Sequence, residues 1–237
     1  MTAHSLTNTS KHAMQSGAAG ANKYWTKAGL LLVSALIAVS GCSALPDKPV
    51  RSAMYDFGPG NLAAATPPTT SLPPIAIDDI TTPGSALDNQ AVLYRLAYQD
   101  AQQLRPYSLA RWALPPAQLV RQRLKSTLSQ RRTVFGAGDS AALNRSQNAV
   151  LPRLLRLELE EFSQVFSAVD ASVGLIRMRA TLLEVTPAGE KLISQRSVVV
   201  QRPAPSSDAV GGVRALTAAT DAATEEIDQW LQQNTVR

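Results

Sequence analysis

The sequence predicts an α/β (α+β) fold: a single domain in which a mixed, partly antiparallel sheet packs against two main helices. Three long segments, 154–166, 173–185 and 192–200, are rich in apolar residues that alternate with polar ones, at the period of a β-strand. Two other segments repeat apolar residues every three or four positions, as amphipathic helices do. Shorter strand-like segments precede the first helix, and this order of elements is typical of a sheet covered by helices.

The first 41 residues have the pattern of a secretory signal. They contain three lysines and no acidic residue, and they end in the apolar run 28–39. This run is too short to span a membrane permanently. We therefore predict a signal peptide at 1–41. The stretch before the apolar run is long for such a signal, so both Met1 and Met14 stand as candidate starts.

A lipidation motif follows the apolar run. Val39-Ser40-Gly41-Cys42 resembles the bacterial lipobox, in which the cysteine thiol receives a diacylglycerol and the new N-terminus a fatty acyl chain such as palmitate. The alternative is a lone buried cysteine after a chance apolar segment. We predict that Cys42 is the lipidated mature N-terminus. Ser43 stands where proteobacterial lipoproteins retained in the inner membrane usually carry aspartate, so we expect the periplasmic face of the outer membrane.

Removal of the signal excludes several classes of catalytic site and metal site. The remaining 196 residues hold 20 basic and 18 acidic groups, a net charge of +2. Both histidines, His4 and His12, leave with the signal, and the only cysteine becomes the lipid attachment point. Ser-His-Asp and Cys-His catalysis and His or Cys zinc sites are thereby excluded. We expect no catalytic residues, no metal and no cofactor, and outside the cytoplasm no nucleic-acid partner.

The mature chain begins with an extended region. Residues 42–73 are rich in Pro, Ala and Thr, which is typical of a tether, and a short edge strand is predicted near 54–57. Strands are predicted next at 75–77 and 91–96, as neighbours in one sheet. The adjacent Asp78 and Asp79 follow the first of these strands and point to opposite faces, so they cannot share a proton as a catalytic carboxylate pair does.

The first predicted helix carries the most distinctive charge of the sequence. Pro115 and Pro116 stand where a first helical turn tolerates proline, and apolar residues follow at helical spacing. The ordinary interpretation of its other faces is a solvated surface, and the sharper one is contact with lipid headgroups or an acidic partner. The candidate contact residues are Arg121, Arg123, Lys125, Arg131 and Arg132.

The charges of the long strands predict their register. If Glu158 faces Arg179 and Glu160 faces Arg177 in an antiparallel pair, the leucines of segment 154–166 also face the apolar residues of segment 173–185. The predicted pairs are Leu155 with Leu182, Leu157 with Ala180, and Leu159 with Met178. A five-residue connection at 186–190 then leads to the last strand.

The final segment predicts a long helix. Ser207 and Asp208 can cap it, and its apolar stripe is rich in alanine, which permits close packing on a sheet. Large aromatic residues are expected to anchor the core, with Trp112 as the best candidate for an exposed exception. The aromatic residues concerned are Tyr94, Tyr107, Trp112 and Trp230.

Several of these features together resemble one protein family, that of the ABC-type transport auxiliary lipoproteins. The residues that carry the resemblance are Val92-Leu93-Tyr94-Arg95, Tyr107, Arg111-Trp112, the Pro115-Pro116 helix start, Leu157-Glu158-Leu159 with Phe162, Gln164 and Phe166, and Trp230-Leu231. The resemblance implies an auxiliary lipoprotein domain at 74–237 and a non-catalytic role. It also implies partners: a mammalian-cell-entry (MCE) domain protein, a permease and an ATPase that together move lipids between envelope membranes.

Two other classes stay open. One is a structural or assembly lipoprotein that scaffolds an outer-membrane machine without touching lipid. The other is a hydrolase that works with carboxylates alone, which would need two facing acidic residues about 5 to 10 Å apart in a cleft. The sequence does not set the number of subunits, and a homo-oligomer also stays open.

Overall fold

Eight strands and three α-helices form the described part of the chain. The computed structural model describes residues 50–60, 72–136 and 151–235, so Cys42 and the predicted signal peptide lie outside the described residues. The strands are β1 (Ala53–Tyr55), β2 (Leu72–Ile77), β3 (Ala91–Leu96), β4 (Ala101–Trp112), β5 (Arg132–Phe135), β6 (Arg153–Phe166), β7 (Ser172–Thr186) and β8 (Gly189–Pro203). The helices are α1 (Ala97–Asp100), α2 (Pro116–Ser129) and α3 (Ala209–Thr235), and a 3-10 turn lies at Ser85–Leu87.

All eight strands belong to one mixed sheet built around β6. Antiparallel pairing joins β6 to β7 and β7 to β8, in the order in which they follow each other along the chain. Parallel pairing joins β6 to β2 and to β3. Beyond these lie β5, parallel to β2, and β4 with β1 at the far edge. The predicted α/β fold with a mixed sheet and two main helices is confirmed.

The positions of β2 and β3 differ from the prediction that they are neighbours. β7 covers one edge of β6 over almost its whole length, so β2 and β3 both lie along the other edge. Ile75 pairs with Arg153 at the start of β6, whereas Leu96 pairs with Phe166 at its end. Between them Thr81 forms a parallel bridge to Glu158. The two strands therefore lie one after the other along the same edge of β6. Each pairs with only part of this strand, because β6 is much longer than either of them.

The predicted register of β6 and β7 holds as far as Leu159. Leu155 pairs with Leu182, Leu157 with Ala180, Glu158 with Arg179, and Leu159 with Met178. The register then shifts, and the Cα partner of Arg177 is Glu161, not the predicted Glu160. A β-bulge inserts one extra residue at this point, which turns the following side chains to the opposite faces of the sheet.

The bulge decides what enters the core. In a regular strand Glu161 would follow Leu155, Leu157 and Leu159 toward the helices, because side chains alternate with a period of two. After the bulge Phe162 takes that position and is 1% exposed. The bulge thus excludes a carboxylate from the core and adds a phenyl ring to it.

Trp112 is a core residue and not the exposed exception that the sequence suggested. It is 0% exposed, and its ring centroid lies 5.5 Å from that of Phe57 and 5.6 Å from that of Phe162. The reason is its place at the end of β4, where its side chain joins the core cluster that contains both of these rings. Phe57 follows β1, so the segment at the start of the described chain contributes to the same core.

The two long helices cover the core face of the sheet. Buried residues of α2 recur at the predicted spacing, and the whole predicted stripe of α3 is buried: Val213, Leu216, Ala219, Ala223, Ile227, Trp230 and Leu231. Asp208 caps α3, since its Oδ1 accepts a hydrogen bond from the backbone N–H of Gly211 at 2.8 Å. The contact with β7 is close: a Cβ atom added to Gly174 would lie 2.5 Å from the backbone of α3. Glycine is therefore required at this position.

Candidate functional site

The exposed face of α2 and the residues that follow it contain all five predicted contact residues. Pro115 precedes the helix and Pro116 is its first residue, as predicted, and Val120, Leu124 and Leu128 are each 0% exposed. This burial fixes the rotation of the helix. The basic residues therefore lie on the sides of α2 and at its carboxyl end.

Arg121 and Lys125 are the two accessible cations within α2 itself. Arg121 forms an ion pair with Asp79, a residue that follows β2, and the Asp79 side chain is 70% exposed. Lys125 is exposed, and no carboxylate of the described residues lies within ion-pair distance of it. Asp79 and Asp88 line the same surface groove as these two cations, so the groove contains charges of both signs.

Arg123 is committed to contacts inside the domain. Its Nε lies 3.2 Å from Oδ1 of Asp221 on α3, and its side chain is 13% exposed. A second nitrogen donates to the carbonyl oxygen of Phe57, and the guanidinium lies 6.0 Å from the centre of the Phe57 ring. Arg123 thus links α2 to α3 and to the segment after β1. We expect its loss to affect packing as well as surface charge.

Arg131 and Arg132 share one carboxylate, that of Asp228 on α3. Nη2 of Arg132 lies 2.7 Å from Oδ1 of Asp228, and Nη1 of Arg131 lies 3.1 Å from Oδ2. Gln232 donates to the same Oδ2 at 2.9 Å. The side chains of Arg132 and Asp228 are 2% and 4% exposed, which places this pair in the interior. Arg132 therefore does not contribute to the surface, whereas the Arg131 side chain is half exposed.

Ion pairs within the domain neutralise much of the charge of the five predicted contact residues. Three carboxylates, those of Asp79, Asp221 and Asp228, are paired with four of the five cations and leave a net charge of +2. Surface ion pairs contribute little to stability, so the pair of Arg121 can be exchanged for another partner at small cost. Contact with a partner stays a prediction, and its accessible candidates are Arg121, Lys125 and Arg131.

The carboxylates on the other face of the sheet are also paired with arginines. Glu158 and Glu160 both contact Arg179, and Arg177 lies 3.5 Å from Glu160. Arg156 contacts Asp78 at 3.3 Å and Glu190 at 3.1 Å. Hydrogen bonding to Glu190 is the main cause that raises the pKa of Arg156. These groups form an ion-pair network and have the geometry of structural contacts.

A partly buried ion pair that the sequence did not predict joins β3 to β6. Glu161, turned away from the core by the bulge, accepts hydrogen bonds from Arg95 at 3.2 and 3.0 Å. Arg95 also donates to the carbonyls of Ala101 and Gln102, and Ser163 donates to Glu161 at 2.6 Å. Every charged group here has several partners, as a buried ion needs. The pair fixes the loop around α1 against the sheet.

Tyr107 forms another contact between strands. Its hydroxyl donates to Oε1 of Gln164 at 2.8 Å, and Gln164 donates to Ser172. Burial raises the pKa of Tyr107 well above its ordinary range, with smaller contributions from Tyr94 and Asp208. The phenol therefore stays protonated at neutral pH and serves as a hydrogen-bond donor.

Two further properties of the described residues concern membranes and metals. None of their helices combines the length and the hydropathy needed to cross a membrane. Within the same residues, no group of three or more His, Cys, Asp and Glu side chains is arranged to hold a metal ion.

The match to a family model decides what the chain is related to. The model of the ABC-type transport auxiliary lipoprotein component matches residues 55–228, which extend from the end of β1 to Asp228 of α3. The chain belongs to this family. As a member of the ABC-type transport auxiliary lipoproteins, it is an auxiliary component of a transport system located at the cell envelope. No curated protein matches the sequence.

Solved structures share the fold of this auxiliary lipoprotein. Protein XCC0632 from Xanthomonas campestris is similar with a TM-score of 0.57 and 16% identity, over 78% of this chain and 94% of that one. A second structure, described as an uncharacterized protein, has a TM-score of 0.54 and 13% identity, over 76% of this chain and 99% of that one. At these identities the likeness shows the fold alone.

Proposed function

We propose that this auxiliary lipoprotein is anchored through Cys42 to the periplasmic face of the outer membrane. There it works with an MCE-domain protein, an ABC permease and an ATPase to move lipids between the envelope membranes. The observation that carries the proposal is the family match over residues 55–228. The lipobox that ends at Cys42 adds the anchor. ATP is hydrolysed by a separate subunit in this arrangement, and the lipoprotein acts through its surfaces.

The accessible cations of α2 support one choice of contact surface. Arg121 and Lys125 lie one helical turn apart on this helix, whereas Arg131, the third accessible cation of the predicted contact set, follows the helix and pairs with Asp228. Residues four apart lie on the same side of a helix. We propose that these two residues face an acidic region of the MCE-domain protein, whereas Arg123 and Arg132 hold the domain together.

The test is co-purification of the full lipidated chain with the MCE-domain protein encoded beside it, from detergent-solubilised membranes. We expect the double reversal Arg121→Glu and Lys125→Glu to lower the amount of captured partner at least fivefold. High salt should also weaken capture, since salt screens charges over about 8 Å at physiological strength. The matched control is the double reversal Lys191→Glu and Arg202→Glu, which changes the net charge equally at exposed positions of β8.

The outcomes separate the transport proposal from the scaffold alternative. If neither the wild-type chain nor the control captures an MCE-domain protein at low salt, and deletion of the gene leaves sensitivity to envelope-lipid stress unchanged, the transport proposal is wrong and the scaffold function takes its place. If the control double reversal and the α2 double reversal reduce capture equally, the assignment of the contact to α2 is wrong.

A further inference from the structure

A mainly apolar cavity lies at one end of the sheet, away from the exposed face of α2. Its volume is about 360 Å³, and it lies where β2 and the start of β6 approach the carboxyl end of α3. This volume falls at the small end of the range of about 300–1,000 Å³ for ligand sites. The apolar lining residues are Pro73, Ile75, Leu151, Pro152, Leu182 and Leu231.

Two guanidinium groups line the same cavity. Arg132 uses Nη2 for its contact with Asp228, but its buried Nε has no hydrogen-bond partner. Arg153 donates from Nη1 to the carbonyl oxygen of Asn234 at 2.6 Å, and no carboxylate of the described residues pairs with it. A buried donor without an acceptor is rare in folded proteins. Arg132, which carries this donor, is one of the residues that line the cavity.

The charges near the cavity favour an anion. Arg131 and Arg132 share the carboxylate of Asp228, and Arg153 pairs with no carboxylate of the described residues. Glu184 also lines the cavity, but it contributes to an exposed pair with a lysine of β8. Guanidinium groups bind carboxylate and phosphate oxygens with strong, directional hydrogen bonds. Apolar walls beside unused guanidinium donors fit a molecule that is apolar along its length and acidic at one end.

We propose that this cavity binds an acyl chain that carries an acidic headgroup. The chain contacts the proline and leucine walls, and carboxylate or phosphate oxygens accept hydrogen bonds from Arg153 and from Nε of Arg132. This inference deepens the proposed function, because it rests on lipid as the substrate class and names the part of the domain that holds it. A fatty acid and a phospholipid share this chemistry, and the experiment distinguishes them.

The test places a photo-crosslinking residue, p-benzoyl-phenylalanine, at Leu151 in the full chain in bacterial cells. After irradiation, mass spectrometry of the proteolytic peptide that carries residue 151 identifies any lipid adduct, separately from the acyl chains at Cys42. We expect an irradiation-dependent adduct whose mass is that of a fatty acid or of a phosphorus-containing lipid. The matched control places the same residue at Leu109, which is 51% exposed on β4, and we expect at least fivefold less adduct there.

A variant then tests the headgroup contact. Arg153→Gln should lower the adduct yield at residue 151 at least fivefold, whereas Arg202→Gln on β8 should leave it unchanged. Arg132 is left intact in this test because its loss would leave Asp228 buried without its main partner. An unchanged thermal denaturation midpoint of Arg153→Gln shows that a lower yield reflects binding and not unfolding.

Several results would overturn the proposal: no adduct at residue 151, equal adducts at residues 151 and 109, an adduct with a neutral lipid, or a full yield in Arg153→Gln. The proposed function and the cavity site are refuted by different results. A chain that captures the MCE-domain protein but forms no adduct contradicts the cavity site alone, whereas an adduct without an MCE partner contradicts the transport system and keeps the lipid site.

Discussion

Replacement of Asp228 by alanine should be among the most destabilising single changes in the domain. The carboxylate is 4% exposed and pairs with Arg132, which is 2% exposed. In Asp228→Ala the guanidinium of Arg132 stays buried with no counter-charge, in addition to its Nε without a partner. Loss of one partner of a buried ion pair costs about 3–5 kcal/mol. This is a large part of the roughly 5–15 kcal/mol by which domains are stable.

Urea denaturation of the chain from residue 42 onward, with Cys42→Ser to prevent lipidation, measures this loss as a change in the free energy of unfolding. Asp79→Ala is the matched control, because Asp79 pairs with Arg121 at the surface and is 70% exposed. We expect this control to lose only about 0.2–1 kcal/mol. A double variant, Arg132→Met with Asp228→Leu, removes both charges and should recover most of the stability, since apolar replacements of buried ion pairs are often neutral.

Two results would refute this reasoning. A loss in Asp228→Ala no larger than that in Asp79→Ala would mean that Arg132 reaches water when its partner is removed. No recovery in the double variant would mean that the shape of the pair, and not its charge, matters for packing between β5 and α3.

Four further predictions concern the anchor, the helix cap and the close contact of α3 with β7. Cys42→Ala should leave an unprocessed precursor in membrane fractions, and normal processing would remove the lipoprotein assignment. Ser43→Asp should move the protein to the inner membrane in a host that uses the aspartate rule, which a density gradient would detect. Gly174→Ala should lower the free energy of unfolding by about 1–3 kcal/mol through overpacking, whereas Gly84→Ala, where a Cβ atom meets nothing within 4 Å, should be near neutral. Asp208→Ala should lower the free energy of unfolding by about 0.5–2 kcal/mol at neutral pH. Hydrogen bonds from the backbone and from a serine lower the pKa of this carboxyl, so its stabilising effect is present above the unfolded pKa and is lost as pH falls through the folded pKa. The difference in stability between the variant and the wild type should therefore shrink in acid.

The sequence allowed the register of β6 and β7 to be predicted because two independent patterns agree there. Leu157 faces Ala180 and Glu158 faces Arg179, so burial and charge select the same alignment. The bulge after Leu159 was not predicted, since both acidic residues of Glu160-Glu161 look equally suited to the outer face. The partner of Glu161 is Arg95, which is far away in the sequence, so only the structure shows that Glu161 forms the ion pair on the face opposite the core.

The basic segment shows why charge alone predicts a surface poorly. Arg132 looks like any other cation near the end of a helix, but its partner Asp228 lies far along the chain on α3. One signal was present: Asp228 directly follows Ile227 and lies close to Trp230 and Leu231 of the apolar stripe. An acidic residue at such a position indicates a buried cation nearby, although the sequence does not say which one.

β4 and β5 were not predicted, for a reason that lies in their sequences. β4 contains a proline and many polar residues, and it pairs with β3 in an irregular register. β5 is only four residues long and begins with Arg132. Edge and near-edge strands of this kind are held by their neighbours, and their sequences carry little alternation of their own.

The shared edge of β6 has a consequence for the order of folding. β2, Thr81 and β3 all hydrogen-bond to residues of β6, which lies in the second half of the chain. β3 can pair early with β4, and β2 with β5, but their contacts with β6 must wait for that strand, and such non-local pairing slows folding. The two parts of the sheet that precede β6, namely β1 with β4 and β3, and β2 with β5, therefore join only when that strand arrives. In a chain that crosses a membrane with its N-terminus first, the completed sheet would thus form only after more than half of the chain has been translocated.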